Sequence, residues 1–221
     1  MTMAVFPALT LFASPAQAAT QRFAANSGVS TGGGYYWYHQ GPDQADDSTN
    51  FGASMKWKLQ YSDAGIYNAE SYVSGAVAAV NAQSPGIPQV WGGNTTNTAV
   101  PTCYQCTSYE DAWLIRMVPT AGFQTKCGTG ANTLGCAVPV LWNVGGVTNA
   151  QGCIIWINSD KYKAGGSYWA GVFRHEMGHC LGLAHNDLTY LGVKQLMNSV
   201  ITQNNFQQGD GNGIRAVTRR V

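Results

Sequence analysis

The chain has 221 residues and a formal net charge of +1, with 10% charged and 45% hydrophobic residues. This length predicts one domain with a substantial core. The near-neutral charge argues against a protein that binds nucleic acid or an anionic membrane surface.

The N-terminus has the features of an export signal. An apolar run over residues 4–13 precedes Ala16-Gln17-Ala18, which is a small-x-small cleavage pattern. The sequence therefore predicts a signal peptide over residues 1–18 and a secreted protein. The first basic residue is Arg22, so the usual positive start is missing, and an apolar N-terminal strand is the alternative. No run of about 20 apolar residues predicts a membrane-spanning helix.

Residues 19–51 are rich in Gly, Ser and Asn and poor in aliphatic residues. This composition predicts an irregular arm or a short pro-segment. An ordered domain is expected from residue 52 to residue 221.

In the ordered part of the chain, the spacing of apolar residues predicts several strands and helices. Apolar residues at helical spacing predict a long helix in "YNAESYVSGAVAAVNAQS", and a second helix is expected in "GSYWAGVFRHEMGHCLGL", with Ser167 as its N-cap and Gly182 at its end. A last short helix is expected to start near Asp210. Strands are predicted in "SMKWKLQYSD", "IPQVW", "DAWLIRMV", "LGCAVPVLW" and "GCIIWIN". This order predicts an α+β layered domain.

The even number of cysteines is typical of disulfides formed in an oxidising compartment. We name Cys153–Cys180 as the first candidate pair. A zinc site formed by the first four cysteines of the chain is an alternative with loose ligand spacing. The six cysteines are Cys103, Cys106, Cys127, Cys136, Cys153 and Cys180.

The segment "RHEMGHCLGLAH" holds three of the chain's 4 histidines. On a helix, His175 and His179 project from the same face one turn apart, so they can bind one metal ion. Glu176 lies beside the first of them, close enough to reach a water molecule on the ion without binding the ion. Gly182 can take a positive φ and end the helix with a sharp turn that returns His185 as a third ligand.

Three neutral nitrogen ligands leave one tetrahedral position open, which is typical of a catalytic zinc site. Zinc lowers the pKa of a bound water to about 7, and Glu176 is the expected general base. The pattern H-E-x-x-H-x-x-G-x-x-H is far more specific than H-E-x-x-H alone.

This pattern resembles the zinc signature of the metzincin metallopeptidases, whose other hallmark is a methionine-bearing turn beneath the metal. In "KQLMNSV", Met197 is at a suitable distance for that turn, as a hydrophobic floor and not a ligand. A generic core methionine is the alternative.

Within the metzincins the chain is most similar to the matrixin type. The resemblance implies a twisted mixed sheet with a long helix and a zinc helix (residues 52–185) above a small C-terminal subdomain (residues 186–221). "TLGCAVPV" is similar to the edge strand along which such enzymes bind peptide by main-chain hydrogen bonds. The residues expected along the substrate are Leu134, Gly135, Cys136, Ala137 and Val138.

Some features depart from the matrixin pattern. Asn186 stands where matrixins usually have serine, and no cysteine-switch pro-peptide is recognisable. Only His39 remains as a histidine for a second, structural zinc, so one zinc ion is expected. Calcium sites of the family type are compatible with the sequence but have no specific support in it.

The sequence thus predicts a secreted, monomeric zinc-dependent endopeptidase that acts on peptides or proteins. Two alternatives share the metal: an extracellular zinc-containing binding or adhesion module without turnover, and a zinc amidase acting on cell-wall peptides.

Overall fold

A computed structural model describes residues 20–22, 36–38, 55–60, 67–85, 88–96, 113–130, 132–144, 147–185, 187 and 189–217. The predicted signal peptide lies outside these residues, and so do Cys103, Cys106 and Asn186. Two short strands are described within residues 19–51, and they are described by their backbone only.

The described strands form one large sheet and a small hairpin. In the large sheet, β-branched and aromatic residues favour extended structure. Its strands are β1 (Thr20–Arg22), β2 (Tyr36–Tyr38), β3 (Met55–Gln60), β4 (Gln89–Thr95), β5 (Trp113–Val118), β6 (Gly135–Val144) and β7 (Val147–Asn158). The hairpin consists of β8 (Thr189–Tyr190) and β9 (Val193–Lys194).

The main part of the large sheet has five strands in the order β4-β3-β5-β7-β6. The first four of these run parallel, and β6 is antiparallel to β7. The short β2 pairs with the beginning of β7, and β1 pairs with β2. In the described part of the chain β6 pairs only with β7, so its outer edge offers main-chain hydrogen-bonding groups.

Among the described residues, five helices accompany the sheet. Their bounds are α1 (Glu70–Asn81), α2 (Thr120–Cys127), α3 (Ser159–Lys163), α4 (Trp169–Cys180) and α5 (Gln208–Val217). The first buries Val73, Val77 and Val80, which share one face at helical spacing. Together with Phe173 of α4 they belong to the main apolar core. Phe123 of α2 is also buried but does not belong to that cluster.

Two disulfides lie among the described residues. Cys153–Cys180 joins β7 to the last residue of α4, and both residues are fully buried. This pairing confirms the first candidate named from the sequence. Cys127–Cys136 joins the end of α2 to β6, and both residues are partly exposed. Because these two sulfurs are bonded to each other, the alternative four-cysteine zinc site is wrong.

The mixed α+β class and most of the predicted elements are confirmed. The start of the second predicted helix is corrected, because Tyr168 and not Ser167 occupies its N-cap, without a capping side-chain hydrogen bond. The pattern gave no sign of α2, α3 or the β8–β9 hairpin. No helix among the described residues has both the length and the apolar character that crossing a membrane requires.

Candidate metal centre

Helix α4 carries the first two histidines of the motif. His175 is buried and His179 partly buried, four residues apart on one face. The helix ends in a Schellman motif, in which Gly182 N–H donates to His179 O at 2.9 Å and Leu183 N–H donates to Gly178 O at 3.0 Å. The φ of Gly182 is 106°, which L-residues with side chains rarely adopt.

This exit turn brings the third histidine back to the first two. The Nε2 atoms of His175 and His179 lie 3.0 Å apart, and each lies 3.1 Å from Nε2 of His185. The structure therefore brings together all three predicted ligands, with His185 exposed at the surface. These three residues could hold a metal ion.

The hydrogen bonds of the imidazoles fix which ring nitrogens carry protons. Nδ1 of His175 lies 2.8 Å from Leu196 O, and Nδ1 of His179 lies 2.7 Å from Leu183 O. A carbonyl oxygen can only accept, so each Nδ1 must be the protonated nitrogen. In the neutral rings, both Nε2 atoms then direct lone pairs toward the same point, an arrangement that a cation stabilises.

Burial keeps these rings neutral. Removal from water, together with the nearby His179 and in spite of the Leu196 hydrogen bond, lowers the pKa of His175 to about 3. Burial likewise lowers the pKa of His179 to about 4, again against its hydrogen bond to Leu183. Neutral imidazole is the form that binds a metal.

Glu176 lies on the same helix, beside His175, and its side chain is buried. Burial raises the pKa of Glu176 to about 8 in the absence of a metal ion, although the N–H of Ala137 donates a hydrogen bond that lowers it. A neighbouring cation would favour the carboxylate. The charge of the Glu176 carboxyl group therefore depends on whether a cation lies beside it.

The backbone of β6 lies directly against this carboxyl. A Cβ atom on Gly135 would lie 2.9 Å from Cγ and 3.0 Å from Oε1 of Glu176, which no real Cβ tolerates without a shift. Because strand and helix approach closely here, any residue with a Cβ atom at this position would displace the Glu176 side chain.

The C-terminal segment supports the cluster from the other side. The carboxylate of Asp210 accepts hydrogen bonds from the N–H groups of Leu196, Met197 and Gln207 at 2.8, 3.2 and 2.8 Å. Leu196 is the residue whose carbonyl accepts from His175. Asp210 therefore holds the backbone segment that orients the His175 ring.

Met197 is fully buried beside α4. A Cβ atom on Gly178 would lie 2.5 Å from its Sδ, so the thioether packs closely against the helix one residue before His179. The position of Met197 agrees with a hydrophobic floor, while its role as the predicted methionine turn stays a prediction.

An open cleft of about 1090 Å³ runs past the histidines. Its walls include the histidine cluster, Glu176, the segment 132–137, Tyr168 and residues 199–201. Of the predicted substrate residues, Gly135 to Val138 lie in β6 and Leu134 directly precedes it. Leu134, Gly135, Cys136 and Ala137 line the cleft, whereas Val138 does not.

No sequence pattern indicated the side chains that support the histidine cluster. The sequence predicted Asp210 only as the start of a helix and did not predict a role for Gln195, whose Oε1 accepts from the N–H groups of Gly209 and Asp210. Asp187, whose carboxylate accepts from the N–H and hydroxyl of Ser199 at the cleft, was missed as well.

Comparison of the chain with models of known protein families and with curated protein sequences finds no match.

Proposed function

We propose that this protein is a secreted zinc-dependent endopeptidase of the metzincin clan, similar to the matrixins. The observation that supports this proposal most strongly is the convergence of three imidazole Nε2 atoms 3.0–3.1 Å apart, beside a buried glutamate and an open cleft. The mixed sheet, the exit turn at Gly182 and the burial of Met197 against α4 agree with it.

The donor set fits zinc. Zinc binds neutral imidazole nitrogen at about 2.0–2.1 Å, and three nitrogens with the observed separations can share one ion at that distance. His175, His179 and His185 would hold it. When bound, zinc acts as a Lewis acid on the scissile carbonyl and makes water more acidic.

The protein's own groups account for the remaining steps. Glu176 takes the proton of the attacking water and then delivers it to the departing amine. The Ala137 N–H holds one carboxylate oxygen in place during both transfers. The outer edge of β6 pairs with an extended peptide through main-chain hydrogen bonds, which positions the scissile bond near the cluster.

Cleavage of an unfolded protein such as casein, or of a quenched peptide library, tests this function when metal content is measured in the same samples. The wild type should cleave, a chelator should abolish cleavage, and added zinc should restore it. Glu176→Gln should retain zinc and lose a factor on the order of 10²–10⁴ in kcat. Glu70→Gln makes the same chemical change on α1 and should cleave like the wild type.

Other outcomes would favour the alternatives. Zinc binding without cleavage of any peptide would favour the binding-module alternative, and cleavage confined to cell-wall peptides would favour the amidase. A folded protein that binds no zinc would contradict all three.

A further inference from the structure

Glu176 lies against two residues of β6, Gly135 and Ala137, which flank Cys136 in the chain. The N–H of Ala137 donates to its carboxyl group, and the strand approaches so closely that a Cβ atom on Gly135 would lie 2.9 Å from its Cγ. Because side chains alternate along a strand, Cys136 between them points to the opposite face of the sheet. A displacement of this short segment would therefore move the support of Glu176.

Cys136 is covalently tied on that opposite face. Its sulfur is bonded to Cys127 at the last residue of α2. In the ladder, Cys136 lies opposite Trp156 of β7, and the ammonium group of Lys126 lies 5.6 Å from the centre of the Trp156 ring. Helix α2 therefore lies over the same part of the sheet that the disulfide reaches.

The far end of the disulfide is itself fixed. On α2, Phe123 is 1% exposed. The N–H of Thr120 donates to the carboxylate of Asp160 at 2.8 Å, and the Thr120 hydroxyl lies 3.2 Å from Oδ1 of Asn158. These contacts hold α2 to the end of β7 and the start of α3, so the disulfide connects β6 to a fixed point.

Without the Cys127–Cys136 disulfide, the beginning of β6 would be held by fewer contacts. Among the described residues it is paired along one edge only. The preceding segment is exposed at residues 128–130 and includes Gly128 with a φ of 83°. Strand ends of this kind open locally at low free-energy cost.

We infer that the Cys127–Cys136 disulfide positions Glu176, by holding Gly135 and Ala137 against its carboxyl group, and that it does so without contributing to metal binding. The inference rests on the proposed function. The disulfide is a positioning element and not a catalytic group, since neither sulfur touches the carboxyl.

The test removes the disulfide in the full-length chain with the double variant Cys127→Ser/Cys136→Ser. We expect kcat to fall roughly tenfold to hundredfold, because a displaced general base loses part of its contribution, while KM changes by less than about threefold. Zinc affinity should stay within about twofold of wild type, because both supported imidazoles keep their carbonyl partners. Amide hydrogen exchange over residues 132–140 should accelerate in the metal-free protein, and exchange in α4 should not.

Two further variants separate positioning from general stability. Gly135→Ala keeps the disulfide but pushes Glu176 away, and it should reproduce the fall in kcat at unchanged zinc affinity. Val73→Ala destabilises the core at α1 without touching β6, and it should leave kcat unchanged.

Wild-type kcat in the double variant, or unchanged amide exchange over residues 132–140, would overturn the inference. A lower zinc affinity in parallel with the lower kcat would also overturn it. If the wild type binds zinc but cleaves nothing, the proposed function fails and the role of the disulfide in catalysis fails with it. Exchange over residues 132–140 then still decides whether the disulfide holds the strand.

Discussion

The edge strand β6 and the C-terminal segment 195–210 both support the histidine helix α4, but by different means. On the sheet side, one disulfide ties β6 to α2 and another ties β7 to α4. On the C-terminal side, the buried side chains of Gln195 and Asp210 hold backbone N–H groups. The sheet side contacts Glu176, whereas the C-terminal side contacts His175. The comparison suggests that changes on the first side alter turnover and changes on the second alter metal binding.

The largest expected effect is the change of folding stability with pH in the metal-free protein. Burial lowers the pKa of His175 and of His179 and raises the pKa of Glu176. The lowered pKa of His175 and of His179 means that the unfolded chain binds more protons in acid. Stability is therefore lost as the pH falls from 6.5 toward about 3. By urea unfolding at pH 4 relative to pH 7, we expect the two histidines to contribute a loss of roughly 6 kcal/mol, of which Glu176 offsets about half in the wild type.

Glu176 acts with the opposite sign. Its pKa is raised in the folded state from 4.5 to about 8, so the stability that it contributes is present in acid and is lost as the pH rises toward 8. Metal-free Glu176→Gln should enlarge the loss of stability in acid, which Glu176 no longer offsets, and remove the loss between pH 4.5 and pH 8. If that variant lost as much stability as the wild type when the pH rises toward 8, Glu176 would not be the group responsible.

Removal of the buried disulfide should have the next largest effect. For the separation of 27 residues in Cys153–Cys180, loop closure predicts a loss of roughly 3.5 kcal/mol in the double alanine variant. For the separation of 9 residues in Cys127–Cys136, the same relation predicts roughly 2.5 kcal/mol. Urea unfolding of both variants measures the difference. Equal losses would show that the relation does not describe these two bridges.

Asp210→Ala should weaken the C-terminal side. Three backbone N–H groups, two of them in buried hydrogen bonds, would lose their acceptor, at a combined cost of roughly 3 kcal/mol in unfolding free energy. Because Leu196 would no longer hold the His175 ring firmly, zinc affinity should fall roughly tenfold to hundredfold. Competition with a chelator of known affinity measures it. The control Asp160→Ala removes an exposed carboxylate and should leave zinc affinity unchanged. An equal fall in both variants would contradict the role of Asp210.

Gly178→Ala should have the smallest effect, because the neighbouring Met197 has a flexible side chain. A Cβ atom there lies 2.5 Å from the Met197 Sδ, and crowding of this kind costs about 1–3 kcal/mol. Gly122→Ala on α2 is the matched control, since its nearest neighbour is Val118 Cβ at 3.7 Å and alanine favours a helix. Thermal unfolding should show a lower Tm for the first variant and an equal or higher Tm for the second.

The sequence predicted the parts of the site that depend on short-range geometry. Spacing of four residues places His175 and His179 on one face of any α-helix, and a glycine after the last turn permits a Schellman exit toward His185. The main strands and the two long helices followed from their periodicity. The hairpin β8–β9 was missed because its two-residue strands are too short to show a period.

Only the tertiary structure decided what surrounds these residues. The acceptor of His175 lies 21 residues further along the chain, and Asp210 lies 14 residues beyond that acceptor. The contact of Gly135 and Ala137 with Glu176 depends on the register of β6 on β7 and on the packing of the sheet against α4. Such contacts bring distant segments together by burial, which leaves no periodic trace in the sequence. Local sequence patterns thus determined the positions of the three histidines and the neighbouring glutamate, and long-range packing determined their protonation and their support.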